Sequence, residues 1–180
     1  MAMVTSEPPV LAPLALAEVK AHLHITRDAD DALLTGHLRS AAALCEKFIG
    51  QSLLVRSHRE TLDIARDWQR LGAVPVVAIT GVSGITADNG RVAMASDAYA
   101  LAIDAGGAGR VRVLRPGSAS RIEVTYAAGL AQHWGELPEP LRQGIVRLAA
   151  YVHLARDGDG DAGPPASVSA LWRPWRVVRL

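Results

Sequence analysis

The sequence is poor in cysteine, aromatic residues and lysine. Cys45 is the single cysteine among 180 residues, so no disulfide can form within the chain. Aromatic residues amount to 4%, so Ala, Val, Leu and Ile must form most of the core. Of the 19 Lys and Arg residues only Lys20 and Lys47 are lysines, and the net charge is +1. This balance lacks the strong basic excess that is typical of a free-standing nucleic-acid-binding domain.

Long unbroken apolar runs are also lacking. The longest uncharged apolar stretch covers residues 71–87 and contains Gly72, Pro75, Gly81 and Gly84, which would interrupt a membrane helix. We therefore expect no membrane contact. Hydrophobic residues make up 49% of the chain and charged residues 21%, which is enough for one domain, or for two small subdomains with buried cores.

Helical patterns occur near both ends of the chain. The stretch from Leu14 predicts a short helix, and Asp28 or Asp30 could then cap a longer one that ends before Gly50. The second helix has one apolar face with 3–4 residue spacing, formed by Leu34, Leu38, Ala41, Cys45 and Phe48 or Ile49. A further helix is predicted after Pro138 and Pro140, ending near Asp157.

Between the helices the pattern favours strands. A long strand is predicted from Ser52, at an edge or with one solvent-facing side. Short β-branched or alternating runs follow at 74–80, 99–104, 110–114 and 121–126, separated by glycine-rich turns. Their spacing predicts an antiparallel meander or a small sandwich. We expect an α+β fold: a small helical bundle from both chain ends, an inserted antiparallel β region and an extended C-terminal tail. The predicted boundaries are a flexible N-terminal arm at 1–13, a helical core at 14–51 and 137–157, the β region at 52–127, and a loop with a docking tail at 158–180.

No residue pattern predicts catalysis, a metal site or a cofactor. Cys45 could be a nucleophile, but it lies on the apolar face of its helix, where a free cysteine behaves as a small hydrophobic residue. The six histidines lack zinc-ligand spacing. Asp157, Asp159 and Asp161 open like a calcium loop, yet Ala162 and Val168 occupy the positions of its glycine and bidentate glutamate, so a solvated acidic loop fits better. A small hydrolase is disfavoured because no nucleophile–base motif is present.

Two groups of residues are candidates for binding. Arg110, Arg112, Arg115 and Arg121 surround two predicted strands and could form a face for phosphates or an acidic partner, or could simply be solvated. The end of the chain combines apolar, aromatic and basic residues, and Trp and Arg are enriched at interface hot spots. This tail either folds back on its own core or docks in another subunit. Its proposed contact residues are Leu171, Trp172, Arg173, Trp175, Arg176, Arg179 and Leu180.

Three segments, taken in order, resemble tailed-phage head–tail connector (adaptor) proteins, which also occur in gene transfer agents. The first is the N-terminal signature within 16–50, the second the helix of 137–156, and the third the ending at 168–179, with its apolar pair, proline, aromatic residue and Arg. The resemblance covers most of the chain. The long β region at 52–127 departs from the plainest, all-helical members.

The resemblance implies an assembly protein and not an enzyme. The implied adaptor forms a ring of copies, a dodecamer, beneath the portal protein. It extends the channel through which DNA passes without specific binding, and presents a surface to a tail-side connector or stopper protein. The implied location is the head–tail junction of a virion or phage-like particle assembled in the bacterial cytoplasm. Removal of residues 168–180 should then leave a folded protein that cannot join heads to tails. The alternative is a DNA-binding or packaging accessory protein that uses the Arg110–Arg121 face.

Overall fold

The computed structural model of the protein describes residues 3–6, 9–11, 13–155 and 163–177. The chain divides into two compact units. A helical unit comprises Pro9–Leu54 and Ala131–Leu180, and a β unit comprises Met1–Pro8 and Val55–Leu130. None of the helices in the described ranges is long and apolar enough to cross a membrane. The acidic loop with Asp157, Asp159 and Asp161 lies outside the described residues.

Among its described residues, the helical unit contains four α-helices, which come from both ends of the chain. They are α1 (Pro13–Leu23), α2 (Asp31–Ile49), α3 (Glu139–Leu154) and α4 (Ala166–Trp172). The apolar face predicted for α2 is the buried face, and Gly50 follows the helix in the left-handed conformation (φ 71°). On α3 the predicted apolar residues from Leu141 to Ala149 are buried, whereas Val152 is exposed. The helix periodicity therefore identified most of the core of this unit.

A lysine connects the first two helices. Lys20 Nζ on α1 donates to Asp28 Oδ1 (2.6 Å) and to Asp31 Oδ1 (2.7 Å) at the start of α2. The hydrogen bond to Asp28, followed by that to Asp31, raises the pKa of Lys20, while the same ammonium lowers the pKa of Asp28. Asp28 thus ties α1 to the loop before α2 and does not cap the α2 N-terminus.

The described part of the β unit forms two antiparallel sheets. Their strands are β1 (Met3–Ser6), β2 (Arg56–Asp63), β3 (Gln69–Arg70), β4 (Val76–Ile85), β5 (Arg91–Ala93), β6 (Tyr99–Ile103), β7 (Gly109–Val113) and β8 (Arg121–Ala128). The five-stranded sheet has the order β1-β2-β8-β4-β5, and the three-stranded sheet has the order β3-β7-β6. Val111 and Val113 of one sheet share a core with Ile122 and Val124 of the other.

The α+β expectation is confirmed, and three details of it are corrected. Met3–Ser6 is not a flexible arm, because it pairs antiparallel with β2 from Met3↔Thr61 to Ser6↔His58. For the same reason β2 is not an edge strand, although its burial alternates and one side is exposed, as expected. The C-terminal tail is not extended up to Val177: it forms α4 and a 3₁₀ turn at Arg173–Trp175.

Candidate assembly surfaces

The C-terminal segment packs on the helical unit through Trp172. This indole is fully buried, and its ring centroid lies 5.8 Å from that of Phe48 on α2. On its other side it lies against Gly144 of α3, where a Cβ atom would stand 2.1 Å from the indole Nε1. Only a glycine allows this close approach. Trp172 was predicted as a partner contact; instead it belongs to the core of its own subunit, because α4 turns the side chain inward.

Three contacts fix the residues after Trp172 beside the end of α2. Gln51 Nε2 donates to the Trp175 carbonyl oxygen (2.6 Å), and the Val177 amide donates to the Ile49 carbonyl oxygen (2.8 Å). The Arg176 guanidinium lies 5.8 Å from the centre of the Phe48 ring, within the range of a cation–π contact. These contacts therefore hold residues 175–177 beside the C-terminal end of α2.

The remaining predicted tail residues differ in exposure. Arg173 and Arg176 are exposed, while Leu171 and Trp175 are partly exposed. Within the described ranges neither arginine forms an ion pair. Arg179 and Leu180 lie outside the described residues. Two arginines without an ion pair and one partly exposed indole thus occur within residues 173–176 of the described chain.

The four candidate arginines, Arg110, Arg112, Arg115 and Arg121, do not form one face. Arg110 and Arg112 share the outward side of β7, alternating with buried Val111 and Val113, as their parity predicts. Arg115 lies beyond the end of β7. Arg121 lies on β8 in the other sheet.

Each of these arginines already has a neighbour in the β unit. Arg110 pairs with Asp104 (3.3 Å), Arg115 pairs with Asp97, and Arg121 donates to Asn89 Oδ1 (2.8 Å). The Arg112 guanidinium carbon lies 4.7 Å from the centre of the Trp68 ring. Phosphate binding would have to compete with these contacts, which weakens the case for a DNA-binding face.

The other candidate residues do not form a reactive site. Cys45 is buried, and burial raises the pKa of its thiol, which makes the reactive thiolate scarce. His37 and His153, separate in sequence, come together at 5.9 Å between ring centroids, and burial lowers the pKa of His37. No group of three or more potential metal ligands occurs in the part of the chain that the structure describes.

One buried polar group was missed by the sequence reasoning. Glu60 is 2% exposed, and its Oε2 accepts hydrogen bonds from the Tyr126 hydroxyl (2.9 Å) and from the Gly72 amide (2.8 Å). The signal was present in the alternation of β2, since Glu60 lies between inward-facing His58 and Leu62. These bonds join β2, β8 and the segment after β3, so the role of Glu60 is structural.

The described residues combine buried aromatic packing with exposed arginines, and Trp and Arg are the residue types enriched where proteins contact one another. The model of the phage gp6-like head–tail connector family matches residues 14–86. A chain from the neck of a native gene transfer agent particle, computed with C12 symmetry, is 31% identical, with a TM-score of 0.74 over 99% of this chain and 97% of that one. The protein therefore belongs to the head–tail connector family, whose members are structural proteins of the junction between head and tail.

Two further solved structures agree over the full length. A chain from the neck of an empty gene transfer agent particle, computed with C6 symmetry, is 27% identical with a TM-score of 0.79. A chain from the virion of a native gene transfer agent particle is 29% identical with a TM-score of 0.73. In both cases the match covers 99% of this chain and 97% of the other, so it includes the β unit. No curated protein matches.

Proposed function

We propose that this connector forms a ring of copies, a dodecamer, beneath the portal of a tailed phage or gene transfer agent. The ring extends the DNA channel and presents a surface to the tail-side connector or stopper. The observation that carries the proposal is the full-length similarity to a neck chain at 31% identity, in a neck computed with C12 symmetry. A closed ring requires two different contact surfaces on each copy.

Within this proposal the tail binds the portal or a neighbouring copy, and its residues have two different roles. Trp172 fixes α4 to its own subunit. Trp175, Arg173 and Arg176 then make the contact, together with Leu171, Arg179 and Leu180. Trp and Arg suit this role because both are enriched at interface hot spots, and the planar guanidinium can bind a carboxylate through two parallel hydrogen bonds. Catalysis, a cofactor and specific DNA binding have no part in the proposal.

The test replaces Trp175 by Ala and measures binding to the portal of the same particle by native mass spectrometry. A hot-spot residue should cost about 2 kcal/mol or more, which is roughly a thirtyfold loss of affinity. Trp68→Ala is the matched control, because Trp68 is also partly exposed (41%) but lies in the β unit. Images of particles carrying Trp175→Ala should contain more heads without tails. Wild-type portal affinity in Trp175→Ala, together with normal rings in the particles, would refute the tail assignment.

A further inference from the structure

The end strands of the two sheets differ in how well they are protected against pairing with another chain. Exposed strand edges offer free N–H and C=O groups, and proteins usually blunt them with charge, proline or short length. β3 has two residues and includes Arg70, and β5 has three residues and includes Arg91, which is bound to Glu123 (2.9 Å). These two edges are short and charged.

The other two edges have no such protection. β6 is five residues long, reads Tyr99-Ala-Leu-Ala-Ile103, and contains no charge, proline or glycine. β1 is four residues long and is also uncharged. Within the described residues, β6 pairs only with β7 and β1 only with β2. Leu101 and Ile103 on β6 are 38% and 44% exposed, and Val4 on β1 is 43% exposed.

No charged residue lies within β6 itself, and the acidic residues on either side of it are paired. Asp97, just before the strand, pairs with Arg115, and Asp104, just after it, pairs with Arg110. The two ion pairs bracket an uncharged segment close in length to β1. A four-residue antiparallel or parallel ladder spans about 13 Å at the usual rise per residue. The β1 strand of one copy is therefore long enough to pair along most of the β6 strand of another copy.

We propose that the β6 edge of one copy pairs with the β1 edge of the next copy, so that the three-stranded sheet of one subunit joins the five-stranded sheet of the next. This inference rests on the proposed ring and names one of its contact surfaces. A closed ring joins two different surfaces of each subunit, and β6 and β1 are the two long, uncharged edges of the same unit. Pairing of β6 with β6 would be two-fold and would stop at two copies, so it cannot build a ring.

The experiment introduces one cysteine on each edge, Val4→Cys and Leu101→Cys, in the full chain within assembled particles. The natural Cys45 is fully buried, so it should not react with the cross-linker. A short bis-maleimide cross-linker can join the two introduced thiols in more than one strand register. The double variant should give a ladder of covalent oligomers on a denaturing gel, while each single variant should remain monomeric.

The outcomes separate this inference from the proposed function. Images of the same particles report whether the protein forms a ring at the head–tail junction. If the ring is absent, the proposed function fails. If the ring is present but the double variant stays monomeric, or if Leu101→Cys alone gives dimers, the β6–β1 pairing is overturned.

A second pair of variants tests the pairing without cross-linking. Leu101→Lys places a charge in the middle of the edge and should lower the yield of rings by about tenfold, because lysine on an edge opposes strand pairing. Leu101→Thr removes the same apolar side chain but favours a strand, and should stay within about twofold of wild type. Equal ring yields from Leu101→Lys and wild type, with both proteins folded by circular dichroism, would contradict the proposal.

Discussion

At the scale of single residues, the contact between Gly144 and Trp172 decides the packing of the helical unit. A methyl group at Gly144 would overlap the buried indole, at 2.1 Å from Nε1 and 2.8 Å from Cε2. We expect Gly144→Ala to cost about 3 kcal/mol through overpacking, against a gain of about 1 kcal/mol from helix propensity. The free energy of unfolding should fall by about 2 kcal/mol in urea titrations that follow tryptophan fluorescence.

Gly36 provides the matched control for that substitution. It also lies inside a helix, α2, but nothing stands within 4 Å of the position its Cβ would take. Gly36→Ala should therefore raise the free energy of unfolding by up to about 1 kcal/mol. If both alanine variants were stabilised equally, the indole would not occupy the space beside Gly144.

Sequence reasoning predicted some single-residue environments and missed others. The core position of Cys45 follows from the spacing of apolar residues on α2, which is local information. The burial of Trp172 depends on a glycine 28 positions earlier, and the burial of Glu60 depends on Tyr126, 66 positions later. Neither partner is near in sequence, so no local pattern could identify these contacts.

At the scale of elements, the tail has an inner and an outer part with different roles. Val168 and Trp172 are buried, so the expectation that a protein without residues 168–180 would stay folded is not supported by the structure. Removal of 166–180 should destabilise the helical unit by about 3–5 kcal/mol, the usual cost of deleting a buried tryptophan. Removal of 174–180 retains α4 and should cost far less. Thermal unfolding followed by circular dichroism compares the two truncations.

Both truncations should nevertheless fail to join heads to tails, because both lack Trp175 and Arg176. The shorter truncation is the informative one, since its fold persists while its contact residues are absent. A folded 1–173 protein that still supports normal particles would contradict the proposed role of the tail.

The elements that sequence patterns predicted well are those with strong periodicity. The helices α2 and α3 and the strands β6, β7 and β8 lie within a few residues of their predicted bounds. The missed elements are all short: β1, β3, β5 and α4 have four, two, three and seven residues. Each is too short for a periodic pattern, and each is held by tertiary contacts: β1, β3 and β5 by pairing with β2, β7 and β4, and α4 by the burial of Trp172.

At the scale of the whole molecule, the order of segments carried more information than any one motif. Helices from both chain ends build one unit, and the segment between them, joined by β1, builds the other. The sequence predicted this interleaving because the hydrophobic period changes near residue 52 and changes back near residue 137. It left open whether the β region is an antiparallel meander or a small sandwich, because the division into two sheets depends on strand pairings between distant residues.

The charge balance of the whole molecule leads to the last prediction, which concerns duplex DNA. The net charge is +1, and Arg110 and Arg115 already pair with Asp104 and Asp97. A protein that bound four phosphates through its arginines would lose affinity with a slope of about −3.6 in log–log plots against salt. We expect this protein to bind a labelled duplex weakly at low salt, with a slope closer to zero than about −1, in fluorescence anisotropy titrations.

The variant Asp97→Asn/Asp104→Asn frees both guanidinium groups and should bind more tightly with a steeper slope. A wild-type slope near −3.6 would instead favour the DNA-binding accessory protein. The wall of a channel through which DNA passes cannot hold the DNA by many phosphate contacts.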